Sequence, residues 1–213
     1  MSSPNQLPLV IFMRHGQAEN NVNRILAGRH IESHLTEQGR RQVADAARDL
    51  KNIPIEKVYV SPVTRAIETA KIVCERLGTI YEVDERLYEI ELGKLVGMNY
   101  EEVITKYGNL FLKFYKNHDP ILSGFGVETF ASVKNRVKRF LDDAVLRHGE
   151  KNILTITHLD PIKAALATVL DLKAEALYKW HIRNASLTIL KHESHVFSIS
   201  GVNVMSMHRY PNE

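Results

Sequence analysis

Arg14, His15 and Gly16 follow directly on Leu9-Val10-Ile11-Phe12-Met13, a short apolar run that predicts a buried strand. In open α/β sheets, ligands sit in the crevice beyond the carboxyl ends of the strands. Arg14 and His15 are therefore expected to open onto a pocket. A guanidinium fork suits planar or tetrahedral oxyanions, and a neutral imidazole can act as a nucleophile. Gly16 lets the backbone come close to whatever binds. The chemistry such a tripeptide could do is attack by His15 on a bound phosphate. Taken alone, the same residues read as well as the polar end of an edge strand, and three stretches downstream shift the balance.

In Ser61-Pro62-Val63-Thr64-Arg65, Ser61 is a good helix N-cap and Pro62 fits the first helical position. Arg65, one turn in, can turn back toward an anion near the positive end of the helix dipole, or else pair with a surface acid such as Glu68. Glu89 is flanked by Leu87, Tyr88 and Ile90. A carboxyl group desolvated by such neighbours has a raised pKa and suits proton donation, whereas Glu91 is the same residue type with nothing required of it but to face water. Asn152-Ile153-Leu154-Thr155-Ile156-Thr157 reads as another buried strand and ends on His158. Asp160 is then expected to cap a helix with Pro161 in its first position. Two histidines at the carboxyl ends of two parallel strands can face one pocket.

The elements that must hold these residues follow from periodicity. Thr36 is an N-cap for a helix with Val43, Ala47 and Leu50 inward, and Lys57–Val60 is a second strand. Ala66, Ile67, Ala70, Val73, Cys74 and Leu77 form the inner face of the next helix, which Gly78 ends. Thr79–Val83 is a third strand. From Met98 to Asp119 the pattern is helical and aromatic, with Tyr100, Tyr107, Phe111, Phe114 and Tyr115, before a break at 120–126. An insertion of this kind, about residues 98–126, either covers a site as a lid or packs as core. Glu128–His148 is a long amphipathic helix. Ala185–Leu190 and Val196–Ser200 form a hairpin around Lys191-His192-Glu193-Ser194-His195, whose spacing is metal-like but lacks a third ligand and reads as a solvated turn. Strands alternating with helices predict an α/β class, a mostly parallel central sheet with helices on both faces, in a single domain over residues 1–213.

Composition narrows the partners. The 213 residues suffice for one substantial core, and 44% hydrophobic with 25% charged residues is ordinary for a soluble globular protein. The net charge of +3 comes from scattered Lys and Arg, which argues against a nucleic-acid surface while leaving room for a basic pocket. No apolar run approaches the roughly 20 residues of a membrane span, and Met1–Leu7 lacks the features of a signal segment. Cys74 on an apolar helix face reads as core packing in a reducing cytoplasm, the sharper alternative being a catalytic thiol. The C-terminal hairpin offers an edge strand for pairing into a homodimer.

Arg14-His15-Gly16 after a first strand, Ser61-Pro62-x-x-Arg65-Ala66-x-x-Thr69-Ala70, Glu89-x-x-x-Gly93-x-x-x-Gly97 and a late strand ending in His158 occur in that order. Leu35-Thr36-x-x-Gly39 and Gly126-Val127-Glu128-Thr129 accompany them. Together they closely resemble the histidine phosphatase superfamily, or phosphoglycerate mutase-like proteins, over roughly residues 8 to 170. The resemblance implies a three-layer α/β sandwich and a two-step phosphoryl transfer that needs no metal and no cofactor. It implies that His15 is the nucleophile and carries a phosphohistidine, that Arg14, Arg65 and His158 surround the phosphoryl group, and that Glu89 acts as acid and then base. Asn21, Gly28 and Leu159 complete the implied substrate-binding set, with Ser61 expected to cap its helix. Many members follow the second histidine with glycine, where this chain has Leu159 and Asp160. Leu159 keeps an amide, but Asp160 would repel a phosphate unless its carboxylate is used in capping. The stretch between Glu89 and His158 is moderate in length, with Lys106, Lys113 and Lys116 against five aromatics. That favours a phosphatase on small phosphomonoesters, broad in specificity and tolerant of apolar leaving groups. A cofactor-dependent phosphoglycerate mutase, an isomerase, is the second reading, and a non-catalytic phosphate-binding domain the third.

Overall fold

In the computed structural model, residues 7–116, 119–149, 151–193 and 196–205 are described. β1 (Leu9–Arg14) is apolar at every interior position, and the two-residue period of a strand divides those side chains between two faces. Val10 and Phe12 enter one hydrophobic core while Ile11 and Met13 enter another. Such a strand must be covered twice, and it is. Among the described residues, six strands form one sheet in the order β3-β2-β4-β1-β5-β6. β1, β2 (Ile55–Val60), β3 (Tyr81–Val83) and β4 (Asn152–Thr157) run parallel. β5 (Leu187–Glu193) joins β1 antiparallel, and β6 (Val196–Val204) extends that edge. The expected α/β sandwich with a mostly parallel sheet is therefore present.

Helix α1 (Glu19–Val22) is a short turn in the 20–32 loop. α2 (Glu37–Leu50) and α3 (Thr64–Leu77) cover one face of the sheet through Val43, Ala47, Leu50, Ala66, Ala70 and Val73. The 98–126 stretch forms α4 (Tyr100–Tyr107), α5 (Leu110–Tyr115) and α6 (Pro120–Gly124). α7 (Phe130–His148) and α8 (Leu159–Leu170) cover the opposite face, followed by α9 (Ala174–Lys179). Val103, Leu110, Phe114 and Tyr115 join the core on the α7 and α8 side. The aromatic insertion is thus largely core, with Tyr100 facing a cavity at the sheet's carboxyl edge.

Several local expectations are corrected. Thr36 caps α2 as anticipated, its hydroxyl accepting from the Gly39 N–H at 3.0 Å. Ser61 does not cap α3: Val63 holds the N-cap position and the helix begins at Thr64. Asp160 does not cap α8 either. His158 keeps the extended conformation of β4 and occupies the N-cap, which places Asp160 inside the first turn. β3 begins two residues later than its sequence pattern suggests. In the hairpin, Ser194 and His195 lie outside the described residues, and His192 is a strand residue bonded to the Gly149 carbonyl at 2.9 Å. Cys74 is buried, and desolvation pushes its thiol up to about 11, as befits packing and not a nucleophile.

Two glycines explain why the opening motif and Thr36-x-x-Gly39 belong together. A Cβ on Gly39 would lie 2.0 Å from the Gln17 carbonyl oxygen, and one on Gly16 would lie 2.7 Å from that of Gly39. The loop after β1 and the first turn of α2 touch backbone to backbone, which only bare α-carbons permit.

Candidate active site

β1 and β4 are adjacent and parallel, with Arg14 opposite Thr157, so the next residues leave the sheet side by side. The His15 amide donates to the Thr157 carbonyl at 2.9 Å, and the rings of His15 and His158 lie 5.1 Å apart between centroids. His15 Nδ1 is 2.7 Å from the Gly16 carbonyl oxygen. A carbonyl can only accept, so Nδ1 carries the proton and Nε2 presents a lone pair. Arg65 Nε donates to that Nε2 at 3.2 Å, and Arg65 Nη2 donates to the Gly28 carbonyl at 2.9 Å. Gly28 adopts a positive φ of 52°, which turns this carbonyl toward the guanidinium. Arg14 Nη1 donates to the Ile182 carbonyl at 2.5 Å.

His158 is fully buried, and its Nε2 pairs with the Ser61 hydroxyl at 2.8 Å. That bond is where the Ser61 side chain goes in place of the helix cap. His158 Nδ1 and Arg65 Nη1 are buried without a hydrogen-bond partner among the described residues. Burial and the nearby Arg65 and Arg14 guanidinium groups hold both His15 and His158 well below the ordinary histidine value.

Glu89 comes from the loop after β3. Its Oε1 accepts the Ile90 amide at 3.0 Å and the Asp160 amide at 3.4 Å. Burial and the nearby Asp160 raise it to about 7, against the pull of Arg65 and Arg14. The loop is fixed from behind by Arg136 of α7, which donates to the carbonyls of Arg86 and Tyr88 at 2.7 and 2.6 Å and also holds the Glu128 carboxylate. Glu128 in turn binds Arg29, whose Nε donates to the Glu89 carbonyl at 2.7 Å.

These residues border a cavity of about 430 Å³. Of the residues singled out from sequence, Arg14, His15, Asn21, Gly28, Arg65, Glu89 and Leu159 line it, whereas His158 is fully buried beside His15 and is not part of the lining. Asn20, Arg24, Tyr100, Asp160, His181 and Asn184 line it as well. Asn184 donates to the His15 carbonyl at 3.1 Å and to Asn21 Oδ1 at 3.3 Å. It sits in an irregular stretch before β5 that carries no periodic signal. Ile25, Leu26, Leu92 and Tyr100 contribute apolar lining. Arg24 is ion-paired with Glu101 and lies over the Tyr100 ring. Among the described residues, no three His, Cys, Asp or Glu side chains gather as a metal site would require. No helix among them is long and apolar enough to cross a membrane.

Residues 10–205 match the model of the histidine phosphatase superfamily (branch 1). The chain is 31% identical over 210 residues to a 2,3-bisphosphoglycerate-dependent phosphoglycerate mutase of Thermoplasma acidophilum, covering 97% of this chain and 99% of that one. It is 29% identical over 199 residues to phosphoserine phosphatase 1 of Hydrogenobacter thermophilus, covering 92% of each. Among solved structures, YhfR of Bacillus stearothermophilus superimposes with a TM-score of 0.85 at 27% identity, covering 93% of this chain and 98% of that one.

Proposed function

Because this chain belongs to the histidine phosphatase superfamily, we propose that it hydrolyses small phosphomonoesters through a phosphohistidine on His15, without a metal ion. The observation that carries the reading is the 2.7 Å contact of His15 Nδ1 with the Gly16 carbonyl, from which the tautomer follows. With Nδ1–H held by the Gly16 carbonyl, the lone pair on Nε2 faces the side where Arg65 stands. Arg14, Arg65 and His158 are cast as the phosphoryl pocket, with Nη1 of Arg65, which has no hydrogen-bond partner among the described residues, as a donor the phosphoryl oxygens would meet and His158 beside His15. A transferring phosphoryl group spreads negative charge over its equatorial oxygens, so fixed cations and N–H groups can supply most of the catalysis. Asn21, whose Oδ1 is already used by the Ala18 and Asn184 N–H groups, would offer its amide nitrogen, and Gly28 and Leu159 would frame the same pocket.

In the first step the Nε2–P bond forms, the P–O ester bond breaks, and Glu89 gives its proton to the leaving oxygen. In the second, water attacks phosphorus, Glu89 takes back a proton, and the N–P bond breaks to release phosphate. A Glu89 pKa near 7 suits both steps. The apolar lining at Ile25, Leu26, Leu92 and Tyr100 would accept apolar leaving groups, with broad specificity.

The second reading, phosphoglycerate mutase, is favoured by the identity to the Thermoplasma enzyme over nearly the full length of both chains. Against it, Arg24 in the same cavity is already engaged by Glu101, and a mutase must hold a second anionic group. The test is phosphate release from p-nitrophenyl phosphate and 3-phosphoglycerate in EDTA, with wild type beside His15→Ala. Hydrolysis by wild type alone supports the phosphatase. Isomerisation of phosphoglycerate without hydrolysis supports the mutase. Equal activity in His15→Ala, or a requirement for metal, overturns the mechanism.

A further inference from the structure

Asp160 stands where a negative charge is least welcome to a phosphate, yet it lines the same cavity as Glu89. Its carboxylate is not spent on capping. The Tyr115 hydroxyl donates to Asp160 Oδ1 at 2.7 Å, and Lys163 Nζ donates to the Tyr115 oxygen at 3.0 Å. Lys163 is 3% exposed, one helical turn after Asp160, with its ammonium 4.8 Å from the centre of the Tyr115 ring. This three-residue chain draws on α5 and α8, and the phosphoryl cluster does not contain it. An ammonium nitrogen can only donate, so the hydrogen bonds run one way, from Lys163 through Tyr115 to Asp160, and end on an acceptor.

We propose that Asp160 is a positioning residue for the acid: the Lys163–Tyr115 chain keeps Asp160 as the ionised member of a carboxyl pair, so that the shared proton resides on Glu89. This inference rests on Glu89 being the proton donor proposed above. The geometry separates the two roles. Glu89 Oε1 takes the amides of Ile90 and Asp160, which leaves Oε2 as the oxygen to carry the proton. The Asp160 amide bonds the Glu89 carboxyl and both residues line one cavity, so ionising one discourages ionising the other, and the carboxyl better solvated by fixed donors loses its proton first.

The other charged groups around the pair act on both members. Arg65 from α3 and Arg14 from β1 favour the ionised form of Glu89, and Arg14 and Arg136 do the same for Asp160. Burial is the largest influence on Asp160 and holds it above the ordinary aspartate value, while Lys163 and the Tyr115 hydroxyl pull it back down. Asp160 is the largest charged influence on Glu89, and it acts upward.

The experiment is the pH profile of kcat/KM for Asp160→Asn on an alkyl phosphate and on p-nitrophenyl phosphate, with Glu89→Gln alongside. Asp160→Ser serves as a second neutral variant, and thermal melts report folding. The expected result is that the basic limb for the alkyl ester moves down by about one pH unit. Activity would then fall about tenfold at pH 7.5 and less than about twofold at pH 5, with a smaller change for the aryl ester, whose leaving group needs little protonation. An unmoved limb in whichever neutral variant folds, or an equal loss at both pH values and for both esters, overturns the inference. Glu89→Gln keeps the two questions apart. If it abolishes the limb while the Asp160 variants leave it in place, the acid assignment stands and the role of Asp160 falls. If it leaves the limb intact, the acid assignment itself fails.

Discussion

At the scale of single residues, the site gathers groups whose proton affinities are pushed in opposite directions. His15 and His158 are driven down by burial and by Arg65 and Arg14, whereas Glu89 is driven up to about 7 by burial and Asp160. Two consequences follow for pH. kcat/KM should hold through mildly acidic solution, because His15 stays neutral well below 6.5, and should decline as pH rises through about 7 and Glu89 loses its proton. A stopped assay on an alkyl phosphate over that range checks it; a profile that rises through neutrality would contradict the assignment. The same values bear on stability. The unfolded chain binds more protons at the two histidines, so their contribution is lost as pH falls below about 6.5. Glu89 has the reverse sign, since a carboxyl raised on folding opposes the fold once pH exceeds its unfolded value. Glu89→Gln should therefore gain about 2–3 kcal/mol at pH 8 and less than about 1 at pH 5, read as unfolding free energy from urea titrations, while losing activity.

The same residues show what could be read in advance. His15, Arg14 and Arg65 sit at strand ends or in the first turn of a helix, where the direction of a parallel sheet fixes which way they open, whereas Glu89, in a loop, stands out only by its apolar neighbours. Ser61 was misplaced because a hydroxyl that can cap a helix can equally bond an imidazole, and the choice depends on His158, 97 residues away. Asn184, Arg136 and Lys163 carry no local signal at all. Each is brought in by packing between distant segments, and a charged residue on an amphipathic helix reads as surface until its partner is known.

At the scale of elements, α7 acts as a clamp on the loop that carries Glu89. Arg136 is 8% exposed and fixes the loop carbonyls at Arg86 and Tyr88 while neutralising Glu128. Arg136→Ala leaves that carboxylate with Arg29 as its one remaining cation among the described residues and removes the bonds to the Arg86 and Tyr88 carbonyls, so a loss of about 3 kcal/mol is expected in chemical denaturation. Arg136→Lys should not restore it, because an ammonium lacks the planar fork that reaches several acceptors at once. The contact between α2 and the opening loop is equally unforgiving. Gly39→Ala would force a methyl group to within 2.0 Å of the Gln17 carbonyl oxygen, and a drop of more than about 2 kcal/mol is expected. A melting temperature within a degree of wild type would show that the two backbones can separate without cost.

At the scale of the whole molecule, the cavity and the sheet are one object. Phosphate bound among Arg14, Arg65 and the two histidines would bridge β1, β4 and α3 and so resist global unfolding. Inorganic phosphate at about 100 times its Kd should add about 2.7 kcal/mol to stability, and Arg65→Ala should abolish that gain. Stabilisation undiminished in the variant would place the anion elsewhere.

The layout of the sheet also sets the order in which the molecule can be completed. β1 is flanked by β4 and by β5, strands that begin at Asn152 and Leu187, and Arg14 and His15 are held by the Ile182 carbonyl and the Asn184 side chain. Pairings over such sequence separations close slowly, because a long loop must be ordered before any contact rewards it. During synthesis, β1 emerges from the ribosome long before either neighbour exists, and an apolar strand with two bare edges must wait for them. The histidine at position 15 is made long before the residues that give it its surroundings.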